Sequence, residues 1–246
     1  VVLDCFTADE SLAKLAPVDF ATKHFPDWWK KLPSVTRLDG EFEPRPNMKR
    51  CTGFTDFYAE SFCVPLWTDM LLYWKNDEES KKTQLNWKFS DSMTKISLHH
   101  PDQRGEYLNS KNYQHLKIES PWYLSCKEDI KFLFTQNTWA FEKPEHFIIS
   151  PGVLDFKYQP GININFFVPL DKSKSGDMLI ESGTPIVSLF PLTDRDVVIK
   201  NQCVTTEEYN KLTTKSTRHF FIGKYNKIKR LRKEKEKSKC PFGFGK

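Results

Sequence analysis

Gly161-Ile-Asn-Ile-Asn-Phe166 puts Ile162, Ile164 and Phe166 on one side of an extended chain and Asn163 and Asn165 on the other. Side chains of a strand point alternately to its two faces, so this stretch reads as a strand with one apolar and one polar face. Gln84-Leu-Asn-Trp-Lys-Phe89 repeats the pattern. Further short β-like runs surround these two, at Phe62 to Trp74, Thr94 to Leu98, Tyr113 to Ile118, Trp122 to Leu124, Lys131 to Phe134, Phe147 to Ile149, Met178 to Ile180, Pro185 to Phe190 and Val197 to Ile199. Turn pairs such as Pro101-Asp102, Pro151-Gly152, Pro160-Gly161 and Ser182-Gly183 separate them. Many short strands with regular turn signals predict a mainly β body over residues 51–200, an antiparallel β-sandwich or jelly roll of the cupin-like, double-stranded β-helix kind. The absence of β-α-β alternation argues against a parallel-sheet enzyme.

Both flanks differ from this body. Residues 1–50 hold a first strand, Leu3 to Phe6, and then Pro17, Pro26, Pro33, Pro44 and Pro46, which leave room only for short helical pieces packing on the body. Phe25-Pro-Asp-Trp-Trp-Lys-Lys-Leu-Pro33 predicts a two-turn helix, with Pro at its start, an acid in its first turn, bases in its last and Pro as its stop. Adjacent residues on a helix do not share a face, so Trp28 and Trp29 cannot both enter one core, and one of them is expected at the rim or in an interface, as a partner contact or in ordinary packing over a sheet edge. Residues 205–246 read as a helical, basic arm that opens with the capping box Thr205-Thr-Glu-Glu208.

Charge is concentrated in that arm. The chain carries +5 overall, but residues 224–246 carry +8, which leaves −3 over residues 1–223. Lys229, Arg230, Arg232 and Lys233 are the centre of a segment, residues 224–239, able to neutralise phosphates, and Phe242 and Phe244 form an apolar terminus after it. Aromatic residues make up 14% of the chain, with 20 Phe, 8 Tyr and 7 Trp, enough large rings to build a core despite a mean hydropathy of −0.57. No run of about 18 apolar residues occurs, so no spanning helix is expected. The first residues lack the pattern of a secretory signal, which predicts an unexported chain with reduced thiols. The six cysteines, at positions 5, 51, 63, 126, 203 and 240, contain no C-x-x-C pair and are expected to be buried and inert.

Among chemical motifs, neither G-x-x-x-x-G-K-[ST], G-x-G-x-x-G nor G-x-S-x-G is present, which removes the sequence basis for a phosphate-cradling loop or a nucleophile elbow. His99-His-Pro-Asp-Gln103 does offer an H-x-D pair, His100 and Asp102, the spacing by which a β-helix oxygenase holds Fe(II) with two of three ligands. The late strand that should supply the third carries Ser188, so His115 is the candidate, with His146 and His219 as further choices, and such a site would use 2-oxoglutarate. The plain reading of His-Pro-Asp is a capped turn. Asp155 and Asp69 are carboxylates flanked by apolar residues, with Lys157 and Arg195 as available partners. Asp155, Arg195 and the paired amides Asn163 and Asn165 are candidates for orienting a ligand.

Cys51-Thr-Gly-Phe-Thr-Asp56, Val64-Pro-Leu-Trp67, Tyr113-Gln-His-Leu-Lys-Ile-Glu-Ser-Pro-Trp122, Pro151-Gly-Val-Leu-Asp-Phe-Lys-Tyr-Gln159 and Gly183-Thr-Pro-Ile-Val-Ser-Leu-Phe-Pro-Leu192 carry a resemblance over nearly the whole chain. In these segments it resembles an uncharacterised protein family encoded by tailed phages of the T4 type, marine cyanophages above all. The resemblance implies an origin, in the host cytoplasm or the virion, and not an activity. Three readings follow. The first is a non-enzymatic phage protein that binds a protein partner or itself, needs no cofactor, and uses the Trp28–Trp29 flank and the arm as contact surfaces. The second is a mononuclear Fe(II) oxygenase on a cupin-like barrel. The third is salt-sensitive nucleic-acid binding through residues 224–239.

Overall fold

The computed structural model describes residues 1–40, 42–77, 82–91, 94–103, 105–108, 113–140, 147–169, 175–217, 230, 231 and 234. Along the chain the strands are β1 (Val2–Thr7), β2 (Asp19–Phe20), β3 (Val35–Thr36), β4 (Arg45–Pro46), β5 (Phe62–Pro65), β6 (Met70–Asp77), β7 (Lys82–Phe89) and β8 (Lys95–His99). After them come β9 (Tyr113–Cys126), β10 (Phe132–Gln136), β11 (Ile148–Ile149), β12 (Gly152–Leu154), β13 (Gly161–Pro169), β14 (Gly176–Ile180), β15 (Pro185–Pro191) and β16 (Val198–Cys203). With them stand the α-helices α1 (Glu10–Leu15), α2 (Asp27–Lys31), α3 (Thr52–Glu60) and α4 (Thr206–Thr217). The fold is mainly β, with antiparallel sheets and a short C-terminal helix, and has the layering of a β-sandwich.

Two sheets face each other. The first runs β11-β13-β9-β1-β16, with β8 also paired to β9, and the second runs β12-β10-β15-β5-β2. Leu3, Leu116, Ile118, Leu124, Ile162, Ile164 and Phe166 of the first and Phe62, Val64, Phe132, Val187 and Leu189 of the second lie in one buried cluster. The alternation read in residues 161–166 is the cause: Ile162, Ile164 and Phe166 turn into this cluster and the two asparagines turn out. A third sheet, β14-β6-β7, adds Met70, Leu72, Leu85 and Ile180 to the same core.

Three features depart from the sequence expectation. β9 is one strand of 14 residues that runs through Ser120-Pro121, where a break was expected. Proline lacks an N–H and is tolerated in a sheet only where no partner needs one. Here β8 pairs with β9 up to Glu119 and β1 from Tyr123 onward, while β13 shifts register between Gly161 and Asn163, so Pro121 sits in a gap on both edges. Second, β1 pairs in parallel with β16, the one parallel pairing among the described residues. Third, residues 52–60 form a helix where the β body was expected to begin.

The strands β5 and β15 are buried on both faces. Their outer face is covered by a layer of rings from α2, α3 and the segments around Phe25 and Trp139, centred on Ala21, Trp29, Tyr58, Cys63 and Trp139. The molecule is therefore three layers deep at this point: sheet, sheet and an aromatic sheath.

Candidate functional site

The polar face of the first sheet carries the residues around His115. Registers place His99, His115 and Phe167 in one row across β8, β9 and β13, with Ser97, Lys117 and Asn165 in the next and Lys95, Glu119 and Asn163 beyond. In the first row the rings stack. His99 lies 4.4 Å from His115 at 21°, and His115 lies 4.4 Å from Phe167 at 15°. Tyr107 meets Phe167 edge-on at 5.2 Å and shares a 3.3 Å hydrogen bond with Ser150. His115 Nε2 and Asn165 Oδ1 are 3.0 Å apart, which ties the ring row to the amide row. Lys117 Nζ stands 3.6 Å from Glu119.

His100 and Asp102 also meet, but in a solvent-facing turn. Their side chains are 71% and 90% exposed, with Nδ1 and Oδ2 3.2 Å apart, and the His100 backbone N–H donates to the Gln103 side chain at 2.8 Å. This is the capped turn that the His-Pro-Asp sequence favours on its own. It is His99, not His100, that stacks on His115, because strand alternation puts Lys95, Ser97 and His99 on the outer face together. Among the described residues no three His, Cys, Asp or Glu side chains converge in a metal-binding group, and His146 and His219 lie outside those residues.

The remaining ligand-orienting candidates sit elsewhere. Asn163 and Asn165 share the outer face just described. Asp155 is 3% exposed, and its carbonyl accepts the Tyr158 and Gln159 N–H groups at 3.0 and 2.8 Å, so it closes the turn after β12 in the other sheet rather than lying within a strand. Arg195 is exposed in the turn before β16, its N–H donating to Thr193 Oγ1 at 3.3 Å. Asp69, expected among apolar neighbours, is exposed and accepts the Ser182 N–H at 2.8 Å.

The aromatic sheath is the second candidate surface. Trp29 is buried at 4% and Trp28 is 51% exposed, the split that adjacent positions on α2 require. Trp139, which the sequence reading did not single out, is the hub: Tyr58 stacks on it at 3.6 Å, and Trp29, Phe25 and Phe54 lie 4.5, 4.8 and 4.8 Å away. Trp28 leans edge-on against both Trp29 at 5.8 Å and Trp139 at 6.1 Å, so an exposed ring is held in a fixed pose. Beneath the rings Asn137 bridges two elements, donating to Cys63 Sγ at 3.1 Å and accepting the Trp139 N–H at 3.2 Å. Burial pushes the Cys63 thiol up to about 12 and the Cys126 thiol up to about 11, and it raises Cys5 further still. These three thiols keep their protons at neutral pH. Cys51 and Cys203 are exposed, contrary to the expectation for all six; Cys240 lies outside the described residues.

Beyond α2 the chain makes an excursion between β3 and β4, which pair through Val35 and Thr36 with Pro46 and Arg45. Asn47 clamps its base: its side-chain amide donates to the Pro33 carbonyl and to Thr36 Oγ1, and its backbone N–H donates to Ser34 O at 3.3 Å. Gly40, at φ +82°, turns the tip in a conformation that favours glycine. Leu38 and Phe42 flank this tip, with Phe42 98% exposed, and Val35 and Met48 are exposed beside it. Among the charged side chains of these segments, Lys31 and Arg50 are exposed, exposed Lys30 lies 3.3 Å from Asp27, and Lys49 reaches over the Trp29 ring at 5.9 Å.

In the C-terminal arm the capping box forms as read. Thr205 N–H and Oγ1 both donate to Glu208, at 3.0 and 2.9 Å, and Glu208 N–H donates to Thr205 Oγ1 at 3.2 Å. Arg230 is helical and exposed, 3.7 Å from Glu234. Lys229, Arg232, Lys233, Phe242 and Phe244 lie outside the described residues. No described helix is long and apolar enough to cross a membrane. Compared with protein-family models and with curated proteins, the chain finds no match.

Proposed function

We propose that the chain is a non-enzymatic binding protein of phage origin, acting in the host cytoplasm or the virion, that grips a protein partner through its N-terminal flank. The observation that carries this reading is the clamped excursion with Phe42 at 98% exposure, together with a half-exposed Trp28 ring braced by Trp29 and Trp139. A large apolar side chain held out in water from an anchored base gains nothing for the free monomer, whereas rigid aromatic anchors with a polar rim are what protein interfaces use. The Asn47 clamp supports the same reading, because a loop whose base is pinned loses less freedom on binding.

The test is capture of partners from extract of phage-infected host cells by the full chain and by Trp28→Ser and Phe42→Ser. Loss of a hot-spot ring weakens binding by about 30-fold or more, so one protein held by the wild type and released by both variants is the expected result. Identical captured sets from all three proteins, with unfolding midpoints unchanged, would sink the reading.

A further inference from the structure

The aromatic sheath is a separable layer. Its centre, Ala21, Trp29, Tyr58, Cys63 and Trp139, is a cluster of its own beside the sandwich core that holds Cys5 and Cys126. Most of it comes from Ala21 to Leu32 and from α3, and both pieces join the body at one point. β2 delivers the chain to Ala21, α3 delivers it to β5 at Ser61, and the Ala21 N–H donates to the Ser61 carbonyl at 2.9 Å. Beyond that hinge the layer leans on the body through rings: Phe57 stacks on Phe190 of β15 at 5.6 Å, and Phe25, Trp29, Phe54 and Tyr58 rest on Trp139. Side-chain packing of this kind opens to water more readily than paired strands do.

His24 lies at the inner end of this layer, in the short helical turn Ala21–His24, which packs against α3, β2, β5 and β15. Among the described residues its Nε2 is enclosed without a hydrogen-bond partner, as are Ser61 Oγ at the hinge and Trp139 Nε1 at the hub. An imidazolium carries an N–H on each nitrogen and needs acceptors or water for both, and a buried polar atom without a partner regains one when its cover lifts. The groups around the turn do not supply that partner. β2 brings Asp19, whose carboxylate already accepts from Lys23 Nζ of the turn at 2.6 Å and from the Phe20 N–H at 2.8 Å. β5 brings Cys63, a protonated thiol, and α3 brings buried Tyr58, with Asp56 and Glu60 turned to solvent; β15 carries no titratable residue. Burial lowers the His24 pKa most, Asp19 opposes it and Lys23 adds to it. The closed layer therefore excludes a proton that the open layer accepts.

We propose that the sheath is an acid-released flap: when His24 takes a proton, Ala21 to Leu32 and α3 lift from β5 and β15 about the Ala21–Ser61 hinge and uncover Cys63, while the sandwich stays closed. The device stands whether or not Trp28 and Phe42 grip a partner.

The two layers each hold a buried thiol, which makes the test direct. The full chain is pulsed with a dipyridyl disulfide at about pH 7.5 and about pH 5.5, and each cysteine is read by peptide mass. Cys203, exposed on β16 and outside the sheath, is the internal reference, so the ratio of Cys63 to Cys203 labelling corrects for the thiolate fraction. Acidification is expected to raise that ratio by up to about 10-fold, the limit for a group that titrates near 6.5 only in the open state, with Cys5 still unlabelled. His24→Phe and His24→Gln cannot take the proton and should hold the ratio constant. They place an apolar and a polar side chain at one position, so if one fails to fold, seen as Cys5 labelling at the higher pH, the other decides. A wild-type ratio that stays within about twofold, Cys5 labelling in step with Cys63, or a rise that persists in a folded variant would each overturn the proposal.

Discussion

The hydroxyl of Tyr209 donates a 2.8 Å hydrogen bond to the carbonyl of Pro121, joining the C-terminal helix to the point on β9 where a proline interrupts the ladder. The contact uses a carbonyl that the gap in strand pairing leaves available. Burial also pushes the Tyr209 hydroxyl pKa upward, so it stays a donor at neutral pH. Tyr209→Phe is expected to cost about 1 kcal/mol and to loosen α4 before the sandwich. Amide exchange checks this: protection should fall over residues 206–213 and hold in β9 and β13.

Trp139 and Trp28 belong to one ring cluster but should behave oppositely. Trp139→Ala removes the hub on which Tyr58, Trp29, Phe25 and Phe54 lean and is expected to cost about 3 to 5 kcal/mol. Trp28→Ala, at a half-exposed position, should cost less than about 1 kcal/mol. Urea unfolding of the two variants separates a structural ring from a presented one.

Gly176 faces the ring of Trp74 across β14 and β6, and a Cβ built there would come within 2.5 Å of Trp74 Cζ2. Gly176→Ala is expected to destabilise by about 1 to 3 kcal/mol because the ring has to move. Trp74→Leu in the same chain should remove most of the additional cost, measured as a coupling in a double-mutant cycle.

His24 sets a pH limit. Burial lowers its pKa from 6.5, and its Nε2 is enclosed without a hydrogen-bond partner. The unfolded chain therefore binds more protons than the native one as pH falls through 6.5, so the stability contributed by neutral His24 is present above that value and lost below it. Stability measured in urea should decline between about pH 7.5 and about pH 5.5. His24→Phe should flatten that decline; an unaltered slope would assign it to other groups.

The thiols divide by burial. Cys51 and Cys203 should alkylate quickly in the native protein, and Cys5, Cys63 and Cys126 only on unfolding. Intact-mass measurements before and after denaturant count them directly.

Local chemistry was legible in the sequence where one short segment held all of it. Residues 161–166 alternate because one face is buried, and Thr205 and Glu208 cap a helix with atoms three residues apart. The split of Trp28 from Trp29 follows from helical geometry alone. What depends on distant partners was not legible. α3 starts at Cys51 with no side-chain cap and is held by Phe54, Phe57 and Tyr58 in the ring layer, so its helicity has no local signature. Pro121 read as a strand break because its tolerance comes from the placement of β8, β1 and β13. His100 drew attention through its spacing to Asp102, whereas His99 gains its place from a register with His115 that no pair of neighbouring residues reveals.

The pairing of β1 with β16 also orders events during synthesis. β1 is made before β9 and gains it as a neighbour well before residues 198–203 exist, so one edge of the nascent sheet waits for β16. At about 5 to 20 residues per second that wait lasts several seconds at least, during which a strand carrying Leu3 and Cys5 offers its backbone to any passing chain. Slower translation between β9 and β16 is therefore expected to lengthen that exposure and to lower the share of newly made protein that escapes aggregation.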